Sequence, residues 1–165
     1  MDIKRENYII KLADNAREKV KQLYPIDPIL IAKAYGLEVL TTRLPRDISG
    51  QIYYKQKKIF IESTDYITRQ VFSIAHELGH FLLHNDGTLH ISKRDSIASY
   101  GIDIKEIEAN FFSANLLMPH NEVIRLISNN FNIDSLACYF GVSAIAMENR
   151  LNKLGLDVYV WYATG

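Results

Sequence analysis

An α+β fold is what this sequence predicts, and three observations predict it. Helical spacing runs through residues 5–23 and again from about residue 64 to 154. Short alternating segments cluster at residues 37–62, with one more at the C-terminal end. A run of strands followed by a run of helices gives segregated layers rather than the alternating arrangement of a parallel sheet. At 165 residues the chain fits a single domain around one core. The expected architecture is a small twisted sheet, a long central helix, a second helix crossing it, and a C-terminal helical segment of helix-turn-helix type.

Each element has its local signal. Ile9, Ala13, Ala16, Val20 and Leu23 recur at helical intervals and define an amphipathic helix over 5–23. Asp27 as N-cap, Pro28 at the first helical position and Gly36 as stop mark a second, short helix. Residues 37–42, Gln51 to Tyr54 and Ile59 to Glu62 suit strands, the last two joined by the polar turn Lys55-Gln56-Lys57-Lys58. Ser63 or Thr64 is placed to cap a long helix running to Leu83. A polar loop is expected over 85–102, then a helix over 104–117 ending at Met118-Pro119. Shorter helices follow at 121–130, 134–140 and 144–154, with Gly155 as the last cap, and Leu156 to Tyr162 reads as a terminal strand. The chain is thus expected to be one domain over 1–165: a core at 25–120, a helical subdomain at 121–155 and a terminal strand at 156–165.

Composition narrows the function. Hydrophobic residues make up 48% and charged residues 23%, a globular balance. Lys plus Arg and Asp plus Glu both number 19, so no overall basicity points to nucleic acid or a membrane surface. No apolar run reaches the ~20 residues of a membrane-spanning helix, and the N-terminus shows no signal-peptide pattern. A cytoplasmic location follows as the expectation. The single Cys138 excludes an internal disulfide, and its neighbours Leu136, Ala137, Tyr139 and Phe140 suggest a buried thiol.

Residues 75–84, Ala-His-Glu-Leu-Gly-His-Phe-Leu-Leu-His, carry the chemistry. Inside a helix, four residues make about one revolution, so His76 and His80 point the same way. Two neutral imidazoles converging on a point suit zinc. Glu77 projects about 100° round the axis, beside such an ion, where it can accept a proton from water. Gly79 weakens the helix by about 1 kcal/mol relative to Ala, which suggests close approach of a neighbour, here expected to be a strand.

Candidates for a third ligand are His84, Asp86, His90, Glu106, Glu108 and His120. His84 climbs ~12 Å along the helix from His76, too far for one ion to hold both. Asp86 stands at a workable interval after His80, but Leu83 occupies the position where a tight turn wants Gly. Asp103 as N-cap leaves Glu106 able to complete a capping box. Glu108 lies one turn further in, beside Ala109, and is the favoured ligand. Two histidines and a glutamate leave one position for water, as a hydrolytic site requires.

The segments Arg69 to His84 and Glu106 to Pro119, the latter reading Glu-Ile-Glu-Ala-Asn-Phe-Phe-Ser-Ala-Asn-Leu-Leu-Met-Pro, resemble the ImmA/IrrE family of zinc metallo-endopeptidases. The resemblance covers most of 25–155; residues 1–24 lie outside it. It implies a zincin-like peptidase fold, Zn2+ held by His76, His80 and Glu108, and Glu77 as catalytic base. It also implies a protein substrate, often a helix-turn-helix repressor of a phage or mobile element.

A donor for the tetrahedral oxyanion is also needed; Tyr100, His120 and His90 are candidates. The strand Gly50-Gln51-Ile52-Tyr53-Tyr54 is expected to present an edge to which an extended substrate can add. Two other readings stay open. The chain can sequester a protein partner, with zinc structural, or it can be a DNA-binding regulator through residues 134–154. The latter has little electrostatic basis: Arg125, Arg150 and Lys153 are balanced by Glu122, Asp134 and Glu148 over 121–155.

Overall fold

A computed structural model describes residues 1–84, 89–93 and 103–156. Helix α1 (Ile3–Glu18) starts at Asp2, whose side chain accepts from the Arg5 backbone N–H, and buries Ile9, Ala13 and Ala16. It stops five residues before the sequence suggests. Lys21 takes a positive φ of 48°, and Leu23 is 90% exposed instead of continuing the stripe. Helix α2 (Pro28–Ala34) has the expected Asp27 cap and proline start, and Gly36 turns the chain out of it with φ +77°.

Strands β1 (Glu38–Thr42), β2 (Ile48–Tyr53) and β3 (Lys58–Glu62) follow, and a fourth, β4 (Leu89–Lys93), arises within the stretch expected to be loop. The sheet order is β1-β3-β2-β4. β1 runs parallel to β3, while β2 runs antiparallel to both β3 and β4. β2 is therefore an interior strand. The free edge expected at Gly50–Tyr54 is already filled by this chain's own β4, and among the described residues the edge passes to β4.

Register decides what the sheet contributes. Gly50 pairs with Ile61 and Ser92, and Ile52 pairs with Ile59 and His90. Cross-strand partners share a face, so this face carries Ile52, Ile59, Ile61, His90 and Ser92 around the gap at Gly50. A slip of β4 by one residue would turn His90 and Ser92 outward. As paired, Leu89 and Ile91 are the exposed residues.

Helix α3 (Ile67–Leu83) packs against β2 and β3 on one side and helix α4 (Ile104–Leu117) on the other. Eight consecutive residues, Ser73 to His80, are buried, so its middle is enclosed all round. Neither Ser63 nor Thr64 caps it: Tyr66 holds the N-cap position without a side-chain bond, and Thr64 instead donates to the Glu62 carboxylate. Gly79 admits α4 rather than a strand. A Cβ there would lie 3.0 Å from Phe112 Cδ1 and 3.3 Å from the Ala109 backbone.

Helices α5 (His120–Ile127), α6 (Ile133–Phe140) and α7 (Ala144–Lys153) complete the described chain. Gly141, at φ +66°, ends α6, and Ser143 caps α7. Ile133, Leu136, Phe140, Met147 and Leu151 join the main hydrophobic core, each such side chain contributing about 1.5–3 kcal/mol on burial. Cys138 is exposed, on the outer face of α6. Arg150 is buried, donating to the Met118 carbonyl and Asn115 Oδ1. Burial pushes its guanidinium down to about 10, and it is not part of a basic outer surface. The terminal strand expected over 156–162 lies, apart from Leu156, outside the described residues. Among the described residues no helix is long and apolar enough to cross a membrane.

Candidate metal centre

His76 and His80 stand one turn apart on the enclosed part of α3, with their Nε2 atoms 3.0 Å from each other. Glu106, in the first turn of α4, faces both. Its Oε2 lies 3.3 Å from His76 Nε2 and its Oε1 3.1 Å from His80 Nε2. His90 on β4 brings its Nε2 to 2.9 Å from Glu106 Oε1, and its ring stacks on His80 with centroids 3.6 Å apart. One ligand atom from each of these four side chains lies within 4.8 Å of all the others.

The surrounding hydrogen bonds fix what the facing nitrogens are. His76 Nδ1 lies 2.9 Å from Asn110 Oδ1, an acceptor, so Nδ1 carries the proton and Nε2 a lone pair. His84 Nε2 lies 2.8 Å from Glu108 Oε2, so the proton of a neutral His84 is on Nε2 and its Nδ1 accepts. His80 Nδ1, 3.2 Å from His84 Nδ1, must then donate, which leaves His80 Nε2 a lone pair. Two lone pairs thus face each other at 3.0 Å beside a carboxylate. Such a group of acceptors is repulsive by itself and fits a cation. Consistently, Glu106 Oε2 and His90 Nε2 are buried without a properly formed hydrogen bond among the described residues. Burial holds His80 down to about 4, in the neutral form a metal requires.

The carboxylate brought to the histidines is Glu106, and Glu108 is turned away from them. Residues two apart on a helix project about 200° apart, so only one of the pair can face α3. The contact of Ala109 with Gly79 sets which one. Asp103 still caps α4, accepting from Lys105 N, but the Glu106 side chain does not fold back to complete a box. Glu108 instead forms two bonds with Arg5 of α1, Nε to Oε1 at 2.7 Å and Nη2 to Oε2 at 2.5 Å. The Arg5 guanidinium holds its carboxyl down to about 2. His84 is the link between Glu108 and His80. His120 opens α5 on the surface, and Asp86 and Tyr100 lie outside the described residues.

Glu77 is fully buried. Burial pushes its carboxyl up. Ser92 faces it and His76 favours its charge, yet neither carboxylate oxygen has a well-formed hydrogen bond among the described residues. It sits over Gly50: a Cβ on Gly50 would fall 2.7 Å from Glu77 Oε1. The sequence contains a hint of this, since a Gly inside a strand often marks a close approach. His90, Asn110 and Arg5 were less legible, because their roles depend on strand register and on the docking of α1.

Residues 32–152 match the IrrE N-terminal-like domain, Peptidase_M78. The chain belongs to this peptidase family. Two of its relatives are an uncharacterized immunity region protein 2 of Bacillus phage phi105, 27% identical over 87% of this chain and 91% of that protein, and the metallopeptidase ImmA of Bacillus subtilis, 30% identical over 58% of this chain and 56% of ImmA. Among solved structures, a Mycobacterium tuberculosis transcriptional regulator shares the fold, with a TM-score of 0.65 at 17% identity, covering 92% of this chain and 47% of that one. The chain thus spans about half the length of these last two proteins. The IrrE-like α+β fold accounts for the sheet, for α3 and for α4, whereas α1 precedes the matched residues.

Proposed function

We propose that this chain is a zinc-dependent endopeptidase in which His76, His80 and Glu106 hold the ion and Glu77 is the general base. Its substrate is a protein, and a helix-turn-helix repressor of a phage or mobile element is the class the family resemblance favours. The name of the phage relative, an immunity region protein, supports that setting. Two imidazoles and one carboxylate are a donor set typical of catalytic zinc. When bound, the ion supplies Lewis acidity, polarising the scissile carbonyl and acidifying water at the site.

The chain's own residues do the rest. Asn110 and His84 orient the two imidazoles. Glu77 takes a proton from the attacking water and returns it to the leaving amine, and burial raises its basicity for that task. Gly50 leaves the room in which the carboxylate sits. The substrate, as an extended segment, adds to the edge of β4 that is open among the described residues, beside exposed Leu89 and Ile91. Single N-methyl groups walked along a cleaved peptide should block turnover at alternate positions; uniform tolerance would contradict strand addition.

The observation that carries the enzyme reading is Glu77, a buried carboxylate with no well-formed hydrogen bond among the described residues. A purely structural ion has no use for it, and burying it unsatisfied is costly. The four-donor cluster favours a second reading, in which His90 fills the last coordination position and the protein binds a partner without cleaving it. Replacing Glu77 with Gln separates the two. The peptidase loses ~10²–10⁴-fold in rate while keeping its zinc; a partner-sequestering protein keeps its function.

A further inference from the structure

We propose that helix α1 is a working part of the metal centre: Arg5, acting through Glu108 and His84, sets the tautomer and orientation of His80. This rests on the metal-centre reading above and concerns Arg5 and Glu108, which that reading leaves unassigned. The chain of contacts is continuous. Arg5 meets Glu108 through two bonds of 2.7 and 2.5 Å, Glu108 accepts from His84 Nε2 at 2.8 Å, and His84 Nδ1 accepts from His80 Nδ1 at 3.2 Å. With His84 neutral, each link has one polarity. Arg only donates and a carboxylate only accepts, so neutral His84 must donate to Glu108 from Nε2 and present a lone pair to His80. His80 is left with its proton on Nδ1 and its lone pair towards His76 and Glu106.

Remove the carboxylate and the polarity is lost. His84 can then hold its proton on either nitrogen, and His80 can turn or change tautomer. Remove Arg5 and the carboxylate is free to rotate away from His84, because the guanidinium holds both of its oxygens. The Arg5 side chain is anchored further by the Tyr8 ring, 5.3 Å away on the next turn of α1. Outer partners of this kind typically change metal affinity 10–100-fold. Arg5, Glu108 and His84 are positioning residues, since none of them faces the cluster itself.

The experiment compares the wild-type chain with Arg5→Ala, Arg5→Lys, Glu108→Ala and, as a control, Arg17→Ala. Arg17 also ties α1 to α4, donating to the Asn115 and Leu116 carbonyls, but has no path to His80. Zinc affinity is read by competition with a chromophoric chelator, and histidine tautomers in the metal-free protein by long-range 1H–15N correlation. Arg5→Ala and Glu108→Ala should bind zinc ~10–100-fold more weakly and show His80 losing its single Nδ1–H tautomer, with Arg5→Lys in between. Arg17→Ala should melt at a lower temperature with zinc affinity and tautomer unchanged. Equal zinc affinity and an unchanged tautomer in all four variants would overturn the relay while leaving the metal centre standing. Parallel loss in Arg17→Ala would reduce α1 to a structural support. A wild type that binds no zinc would overturn both readings.

Discussion

Placing a methyl group at Gly50 should disable Glu77 while leaving the metal donors alone. Built on the existing backbone, the Cβ of Gly50→Ala lies 2.7 Å from Glu77 Oε1, 3.2 Å from Cγ and 3.3 Å from Cδ. Carbon contacts are favourable only from about 3.5 Å outward, so three atoms of one side chain are all too close. Glu77 is fully buried and cannot swing into solvent. Either the carboxylate moves by roughly 0.5–1 Å or β2 bends, and overpacking of this kind costs about 1–3 kcal/mol in stability. A misplacement of about 1 Å at a reacting group costs on the order of 10²-fold in rate, or about 2.7 kcal/mol of barrier. The three nearest atoms all belong to Glu77, so the clash falls first on that side chain. The assay measures cleavage of a susceptible protein alongside zinc per chain and melting temperature. Loss of activity with zinc retained is the expected outcome. A Gly50→Ala protein as active as wild type would refute the placement of Glu77 as base.

Two further outcomes follow from the packing and the charges. Gly79→Ala should lower stability despite a gain of about 1 kcal/mol in helix propensity, since its Cβ meets the Ala109 backbone at 3.3 Å and Phe112 at 3.0 Å; a raised melting temperature would show that α4 can retreat. Glu62 accepts from the backbone of Leu44 and Thr64 and from the Thr64 hydroxyl, which holds its carboxyl down to about 2 from an ordinary 4.5. The stability it gives is complete above the unfolded value, erodes as pH falls from there, and is gone below about 2. Urea melts of wild type and Glu62→Gln should therefore differ most at neutral pH and converge in acid; a constant gap would contradict the assignment.

What the sequence made legible was local. The Asp27-Pro28 start and Gly36 stop of α2, the 104–117 span of α4 and the His76–His80 spacing depend on neighbours in sequence, and the structure has them where periodicity and capping put them. What it concealed was set by packing. A linear reading favours Glu108 and gives Glu106 a capping role, whereas the seating of Ala109 on Gly79 turns Glu106 towards α3. His90 reaches the cluster through the register of β4 on β2, within a stretch whose composition reads as loop. Arg5 and Glu108 are 103 residues apart, a pairing no local pattern announces.

Zinc-edge anomalous diffraction from crystals of the zinc-loaded protein tests the central claim most directly. The account predicts a single peak about 2.0–2.2 Å from His76 Nε2, His80 Nε2 and a carboxylate oxygen of Glu106, with Glu77 beside it and Glu108 still held by Arg5. A peak coordinated by Glu108, or no peak between the two histidines, would contradict it.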